Sequence, residues 1–410
     1  MDNFRRYDPE KDKEAVHQIW KETGWISEGD EEKMDAFVDI SNALVADLDG
    51  QPECLVLTVP GTIQYLDEEL DLSVVTSVTT SRVARKQGFA GKLTAKAIAE
   101  DAERGADVSA LGMFEQGFYN RLGYGTGNYE NWINFDPSDL KIDIDPDPPK
   151  RITKDDWEKV YEARINRMPR HGRCKILKPK GTKASMEFWK NDFGLGYYDE
   201  SGEKITHHMW LGAKEVDQGP YRVKWMTYQN YDQFLELMAL LRNLGDQINL
   251  VRMREPGDIQ MQDLLKKPLN KRRITKDSKF ENKMSAIAYW QMRILDLKNC
   301  LEKTHLPYGE VKFNLNLKDP IKDKLPDDSD WKGISGEYTI TLGKESKGAD
   351  GFTDDLPEMK ASVGAFTRLW LGVGTPTGLS VTDDLNAPNH LLKQLDEILR
   401  LPNPHPDWDF

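Results

Sequence analysis

The sequence predicts an α+β fold with several domains, each built around a mixed β-sheet. The chain has 410 residues, which is more than a single domain usually holds. Strand-like and helix-like patterns are interleaved along the chain. The order strand, strand, strand, helix, strand occurs in its first part and again in its middle part, which indicates two copies of one fold.

The first part of the chain combines amphipathic helices with short strands. Val16, Ile19 and Trp20 share one helical face, and Leu93 and Ile98 mark the apolar face of a second helix. The predicted elements are a helix at 12–23, strands at 42–48, 54–59 and 72–79, a helix at 88–104, a strand at 108–114 and a short helix at 118–122.

A segment rich in Pro and Asp at 136–149 is typical of a linker and ends the first part. The middle part is predicted to hold a hairpin (193–198 and 204–211), a strand (221–227), a helix (231–244) and a strand (247–253). The last part is predicted to hold helices at 297–304, 363–370 and 389–399 and strands at 309–317 and 336–342. These patterns predict domains at 1–138, 150–289 and 290–410.

The composition excludes several classes of function. The net charge of −13 argues against nucleic acid as a partner, because a duplex requires a basic face. No apolar run approaches the roughly 20 residues of a membrane helix, and the charged start shows no secretory segment. Three separated cysteines form no metal or disulfide motif, and the histidines show no metal spacing. We therefore expect a cytoplasmic protein with no metal, no nucleic acid and no membrane partner.

The stretch 74–125 carries the strongest chemical signal. A β-rich run meets the turn Arg85-Lys86-Gln87-Gly88-Phe89-Ala90-Gly91, and a helix follows at once. Backbone N–H groups converge at such a helix start, and glycine lets an anion approach them closely. The pattern favours a pyrophosphate site, although a simple helix-entry turn has the same glycines.

Five features of the chain resemble one known family. Arg85-x-x-Gly88-x-Ala90 matches the signature of Gcn5-related N-acetyltransferases (GNAT), and the segment from Phe118 to Gly125 is similar to the family's second motif. The degenerate middle copy, the Trp290-x-x-Arg-Ile-Leu-Asp296 boundary and the aromatic C-terminus resemble its enhanced-intracellular-survival (Eis-like) subfamily. The resemblance implies two acetyltransferase domains with mixed sheets and a C-terminal sterol-carrier-protein-like domain.

The resemblance also implies an activity and a mechanism. Acetyl-CoA is the expected cosubstrate, and the acceptor is a primary amine of an aminoglycoside, a polyamine or a lysine side chain. Tyr124 is the expected general acid toward the CoA thiolate, since a phenol keeps its proton at pH 7. The α-carboxylate of Phe410 is the expected general base, in a tail that enters the active site. A homo-hexamer is the expected assembly.

The cofactor-binding residues also come from the resemblance. Val78 and Thr80 correspond to strand positions that bind the pantetheine arm, and Tyr119 to an aromatic packed against it. The pyrophosphate turn comprises Arg85, Lys86, Gly88 and Ala90. Gln87 stands where a third basic residue is common, so the positive charge of the turn is reduced.

The remaining candidate residues have purely structural alternatives to a functional role. Trp25 and the acidic residues 30–32 either form a wall for a cationic amine or lie in a solvated loop. Glu115 is either a substrate-binding or basic group or a structural carboxylate at a strand end. Taken alone, Tyr124 is more typical of a packed aromatic, and Phe410 of a frayed terminus. A second class of function is a non-catalytic protein that binds a lipid or another hydrophobic ligand in its C-terminal domain.

Overall fold

The structure, a computed structural model, describes residues 3–267 and 275–408. Its strands are β1 (Asn3–Arg6), β2 (Asn42–Leu48), β3 (Gln51–Tyr65), β4 (Glu68–Thr80), β5 (Val108–Gly112), β6 (Gly125–Thr126), β7 (Glu130–Phe135), β8 (Lys150–Ile152), β9 (Cys174–Ile176), β10 (Asp192–Tyr198), β11 (Ile205–Ala213), β12 (Tyr221–Thr227), β13 (Val251–Arg254), β14 (Lys283–Ile287), β15 (Trp290–Ile294), β16 (Val311–Lys318), β17 (Gly336–Leu342), β18 (Lys347–Asp350), β19 (Glu358–Ser362) and β20 (Leu385–Asn386). Its helices are α1 (Lys13–Thr23), α2 (Glu31–Val38), α3 (Phe89–Glu103), α4 (Gln116–Asn120), α5 (Trp157–Ile165), α6 (Pro179–Glu187), α7 (Tyr231–Asn243), α8 (Leu297–Glu302), α9 (Val363–Trp370), α10 (Pro376–Thr382) and α11 (Asn389–Ile398).

The chain divides into two compact units. The first comprises residues 1–128, 170–178 and 289–410, and the second comprises residues 129–169 and 179–288. None of the helices in the described ranges has the length and apolarity that a bilayer crossing requires. The predicted α+β class is confirmed, because every sheet is mixed with helices and combines antiparallel with parallel pairs.

The first unit contains an eight-stranded sheet in the order β1-β2-β3-β4-β5-β15-β6, and β9 pairs with β3. Its one parallel pair is β4 with β5, and α3 supplies the crossover that parallel strands need. The predicted apolar face of α3 is buried, including Leu93 and Ile98. The glycine turn before α3 and the carboxyl end of β5 therefore lie at one edge of this sheet.

Two strands join sheets away from their neighbours along the chain. β15 lies between β5 and β6, so the first sheet contains a strand from beyond residue 289. β7 pairs with β13 and β14 in the seven-stranded sheet of the second unit, whose order is β14-β7-β13-β12-β11-β10-β8. The predicted domain limits 1–138, 150–289 and 290–410 stay a prediction.

The second unit repeats the predicted order of strands and helix. β10, β11 and β12 are consecutive antiparallel strands, and α7 crosses over to β13, which is parallel to β12. The side chain of Asn230 caps the N-terminus of α7, and Phe234 and Leu237 are buried in the core. The sequence analysis did not predict α5 and α6.

The C-terminal part of the first unit is a five-stranded sheet in the order β18-β17-β16-β19-β20. One continuous hydrophobic core joins it to the eight-stranded sheet, with Val74 and Met292 on one side and Phe313 and Phe366 on the other. The strand β15 and this shared core place the C-terminal region directly against the segment that follows α4.

Candidate active site

The strands β4 and β5 part to form a fork. They pair from Leu72 with Val108 to Val75 with Leu111, while β4 continues to Thr80. A bulge in β4 marks the divergence, since the register with β3 shifts there and Ser77 has φ 49°. The β5-facing edge of β4 beyond Val75 has no strand partner in the described ranges, so an extended ligand arm fits into this gap.

The two predicted strand positions lie on the free part of β4. Val78 is half-buried and packs against a hydrophobic core of the first unit. Thr80 is half-buried, and its Oγ1 lies 3.3 Å from Sγ of Cys54 on β3. Burial raises the pKa of the Cys54 thiol to about 12, so this thiol stays neutral at pH 7.

The glycine turn forms an open cradle at the start of α3. Gly88 is the N-cap with φ 90°, and no described side chain caps the helix. A Cβ added at Gly88 or Gly91 would meet no atom within 4 Å. The orphan N–H groups of the first turn are therefore accessible to an anion.

Charge at the cradle comes from two exposed side chains. Arg85 and Lys86 are both exposed, and Lys86 has φ 63°, which tightens the turn. Ala90 is half-buried in the first helical turn. The Gln87 amide donates a 2.9 Å hydrogen bond to the Val83 carbonyl, so Gln87 closes the turn rather than adding charge.

The predicted general acid, Tyr124, has its hydroxyl group in the protein interior. The residue is 2% exposed, and its hydroxyl lies 2.7 Å from the Ser109 hydroxyl on β5. Burial raises the pKa of Tyr124 well above its ordinary value, which the Ser109 hydrogen bond and the Arg293 charge only partly offset. The phenol is therefore neutral and already hydrogen-bonded.

Tyr119 lies 6.1 Å from Tyr124 between ring centroids, and its hydroxyl is in a different environment. No described residue forms a hydrogen bond with this hydroxyl, and its oxygen is not completely enclosed by protein atoms. It therefore keeps some contact with solvent. Burial raises the pKa of Tyr119 to about 12, so this phenol also holds its proton at neutral pH.

Glu115 has a structural contact that the sequence left open. Its carboxylate accepts hydrogen bonds from the backbone N–H groups of Gly117 at 3.1 Å and Phe118 at 2.5 Å. This caps α4, and it explains why the helix starts at Gln116, two residues before the predicted start. Neighbouring Phe114 is 99% exposed at the fork edge.

The predicted acidic wall is partly helical and partly neutralised. Trp25 is 45% exposed just beyond α1. Residues 30–32 lead into α2, where carboxylates in the first turn complement the helix dipole. Glu31 pairs with Lys21 at 2.5 Å and Asp30 pairs with Lys33 at 2.7 Å.

The C-terminal tail is anchored in the first unit as far as Trp408. The N–H of His405 donates to the His171 carbonyl, and the N–H of Cys174 donates to the Pro406 carbonyl. Pro404, Pro406 and Trp408 are buried. Phe410 itself lies outside the described residues.

The first part of the chain matches the model of a known protein family. Residues 4–127 match the model of the acetyltransferase (GNAT) domain. The predicted enzyme class is therefore confirmed, and the fork and cradle lie within this acetyltransferase domain.

Solved structures extend the likeness to the whole fold. A conserved protein of unknown function from Enterococcus faecalis V583, a probable N-acyltransferase, has a TM-score of 0.81 at 16% identity, with 100% of both chains covered. A GCN5-related N-acetyltransferase from Anabaena variabilis ATCC 29413 has a TM-score of 0.81 at 15% identity, with the same coverage. Eis1 from Mycobacterium abscessus has a TM-score of 0.76 at 13% identity, again over 100% of both chains. No curated protein matches the chain by sequence. These likenesses establish a shared fold over the whole chain.

The cradle of the acetyltransferase domain fits acetyl-CoA, the acyl donor that this fold implies. Open N–H groups beside Gly88 and the exposed Arg85 and Lys86 suit its pyrophosphate, and the free edge of β4 suits its extended arm. Within the described ranges, no group of three His, Cys, Asp or Glu residues has the geometry to hold a metal ion.

The sequence analysis missed two residues at this site. Ser109 is fully buried and binds the Tyr124 hydroxyl. Arg293 is fully buried in β15, directly opposite Ser109 in the strand register. An arginine between apolar residues in Trp290–Leu295 was a usable signal, because a buried charge needs a partner.

Proposed function

We propose that the protein transfers the acetyl group of acetyl-CoA to the nitrogen of a primary amine. The observation that carries this proposal is the open cradle at Gly88, which adjoins the fork between β4 and β5 inside the acetyltransferase domain. The acceptor is an aminoglycoside, a polyamine or a lysine side chain.

In this proposal each part of the chain binds one part of the donor. The first-turn N–H groups of α3, together with Arg85 and Lys86, bind the pyrophosphate, with Gly88 and Ala90 permitting close approach. Val78 and Thr80 flank the pantetheine arm along β4. Acetyl-CoA supplies the activated thioester, and the chain's task is to orient it and move protons.

The proton donor to the CoA thiolate is a tyrosine of the segment after α4. The sequence nominates Tyr124, whose hydroxyl is hydrogen-bonded to Ser109 inside the protein. Tyr119 is the second candidate, and the geometry favours it because its hydroxyl retains solvent contact and no described residue binds it. Either phenol is neutral at pH 7, as a proton donor requires.

The α-carboxylate of Phe410 is proposed as the group that accepts the amine proton. The anchoring of the tail through His405 and Pro406, a few positions before this residue, supports the proposal. Two glycines added after Phe410 would move this carboxylate, and we expect kcat to fall by at least about tenfold. The same two glycines added before Met1 are the control. Full activity of the C-terminally extended protein would rule out the role of the carboxylate.

The acceptor contacts are proposed at the fork edge. Trp25 offers an exposed aromatic face, which attracts a cationic amine. Glu115 contributes negative charge beside the fork while its oxygens cap α4. We therefore assign Glu115 to substrate attraction and not to proton transfer.

Release of free thiol from acetyl-CoA tests the proposed function. A panel of polyamines, aminoglycosides and lysine peptides is mixed with the protein, and thiol is followed in time while mass spectrometry records an added acetyl group on the amine. We expect turnover with at least one class. Protein that binds CoA by calorimetry and acetylates no amine would refute the proposal.

A further inference from the structure

Every glycine of the segment 119–127 touches a residue from beyond position 289. A Cβ added at Gly123 would lie 2.8 Å from Nη1 of Arg293, and one added at Gly125 would lie 2.3 Å from the carbonyl oxygen of Gly364. A Cβ at Gly127 would lie 2.1 Å from the ring of Trp290. These are distances that no real Cβ tolerates. Close packing of the C-terminal region against this segment therefore explains Gly125 and Gly127, whereas Gly123 is also required by its φ of 82°.

Arg293 links the two sides of this contact. Its Nη1 donates to the carbonyl oxygen of Leu122, and its Nη2 lies 2.6 Å from Oδ2 of Asp319. Both side chains of this ion pair are fully buried. Its guanidinium also lies 5.2 Å from the ring centroid of Trp331. One arginine thus joins the residue before Gly123 to the C-terminal region.

Asp319 is itself held firmly. Its oxygens accept the backbone N–H groups of Ile321 at 3.1 Å and Ile334 at 3.0 Å, and its own N–H donates to Oγ of Ser335 at 2.7 Å. The carboxylate therefore has a position fixed by backbone on two sides. Arg293 transmits that position to the carbonyl of Leu122.

The second contact is between backbones. Gly364 lies in the first turn of α9, and a Cβ added there would be 2.8 Å from the carbonyl oxygen of Tyr124. Ser362 caps this helix, and Thr367 accepts the N–H of Ile294 on β15 at 3.1 Å. The N-terminus of α9 thus packs closely against the Tyr124–Gly125 peptide.

The segment needs this support because α4 is only five residues long. So short a helix does not fix its own position, since isolated helices of this length are unstable in water. The carbonyl of Tyr119 accepts the N–H groups of Leu122 and Tyr124. Displacement of residues 122–125 therefore displaces Tyr119.

We propose that Arg293 and Gly364 are positioning residues for acetyl transfer, and that the C-terminal region sets the place of the tyrosine pair. The inference rests on the proposed function. According to this inference, the C-terminal region supports the active site without any of its described residues having to contact the substrate.

Two variants and one matched control test the inference. Gly364→Ala adds one methyl group against the backbone of Tyr124, and alanine favours the helix. Arg293→Lys keeps the positive charge but removes the planar guanidinium that binds both Leu122 and Asp319. Gly348→Ala adds a methyl in the same region, 2.9 Å from the Leu301 side chain and away from the segment. We expect kcat to fall roughly 10- to 100-fold in the first two variants, with the CoA dissociation constant within about twofold of wild type. The control keeps its kcat.

Hydrogen exchange separates this inference from the proposed function. We expect faster exchange at residues 119–127 in Gly364→Ala and unchanged exchange in α3. Unchanged kcat and exchange in both variants would overturn the inference, as would parallel losses of kcat, CoA affinity and thermal stability in the variants and the control. If the wild type acetylates no amine, the proposed function fails, and the exchange comparison alone decides whether the C-terminal region holds residues 119–127 in place.

Discussion

Two tyrosines five positions apart have hydroxyl groups in contrasting environments. Tyr124 shares a hydrogen bond with Ser109 in the interior, whereas Tyr119 makes none with a described residue. A proton donor to a bound thiolate must be reachable from the cleft, so the environment of the hydroxyl matters more than the position in a motif. The resemblance to the Eis-like subfamily assigns the role to Tyr124, and kinetics can decide between the two tyrosines.

Phenylalanine substitutions separate the two roles. We expect Tyr119→Phe to lower kcat by roughly 10²- to 10⁴-fold, the usual contribution of general acid catalysis. We expect Tyr124→Phe to act mainly on stability, by about 1 kcal/mol, because Ser109 loses its buried partner. Steady-state kinetics and thermal unfolding of both variants are the measurements. The opposite ranking of kcat would return the donor role to Tyr124.

His208 in the second unit is a buried neutral histidine. Its Nε2 lies 3.2 Å from the indole nitrogen of Trp225, and Nδ1 lies 2.6 Å from Oγ1 of Thr227. Burial lowers the pKa of His208 from 6.5 to about 3. The unfolded chain therefore binds a proton at a higher pH than the folded chain, so the stabilisation is complete above pH 6.5 and declines as the pH falls toward 3.

This linkage predicts a pH-dependent effect of His208→Gln. Glutamine does not titrate, so the difference in unfolding free energy between wild type and variant should shrink as pH falls from 7.5 to 4.5. Urea unfolding followed by tryptophan fluorescence measures it at each pH. His390→Gln at an exposed site is the control for the substitution itself. A constant difference for His208→Gln would contradict the prediction.

At the scale of elements, the strand, turn and helix from β4 to α3 form one continuous structural piece. The bulge at Ser77 frees the edge of β4, and Gly88 starts α3 without a side-chain cap. Each step depends on local backbone preferences, which explains why the sequence pattern located this piece well. The predicted helix 88–104 agrees with α3 to within one residue at each end.

Removal of the cradle charge should weaken CoA binding. Arg85→Ala and Lys86→Ala each delete one exposed cation, and we expect the CoA dissociation constant to rise about fivefold per substitution, equivalent to about 1 kcal/mol. Calorimetry at low and high salt measures the effect, which should shrink at high salt. Lys393→Ala on the exposed side of α11 is the control. Equal CoA affinity in all variants would remove these residues from the cofactor site.

At the scale of the whole molecule, the C-terminal region packs its apolar residues into a shared core. Phe313, Leu315, Phe366 and Leu369 are all at most 1% exposed. Burial of these side chains in one core favours a structural role for them over a role as the lining of a lipid cavity. The resemblance to a sterol carrier thus concerns the fold that we expect, and lipid transport is the less favoured function.

Two measurements on the intact protein address assembly and lipid. We expect no lipid in the mass spectrum of denatured, freshly purified protein, and a stoichiometric lipid would favour the binding-protein alternative.

We expect light scattering to give a mass six times that of the chain, as the resemblance to the Eis-like subfamily implies. A monomer mass across the concentration range would contradict the proposed hexamer.

The sequence by itself determined the pieces whose structure depends on neighbouring residues. It located most strands and helices, the glycine turn with its basic residues, and the repeated order of strands and helix, because hydrophobic period and turn chemistry act over a few residues. It did not locate α2, which its acidic composition disguised as a loop, or the short strands that gain stability only from their sheet partners.

Only the tertiary structure decided how distant residues combine. β15 inserts beside β5, and Arg293 reaches the carbonyl of Leu122 across 171 positions of the chain. The tertiary structure also places Ser109 against the Tyr124 hydroxyl, while the Tyr119 hydroxyl forms no hydrogen bond with a described residue. No local pattern encodes these pairings, since burial of a shared core selects them after the elements have formed.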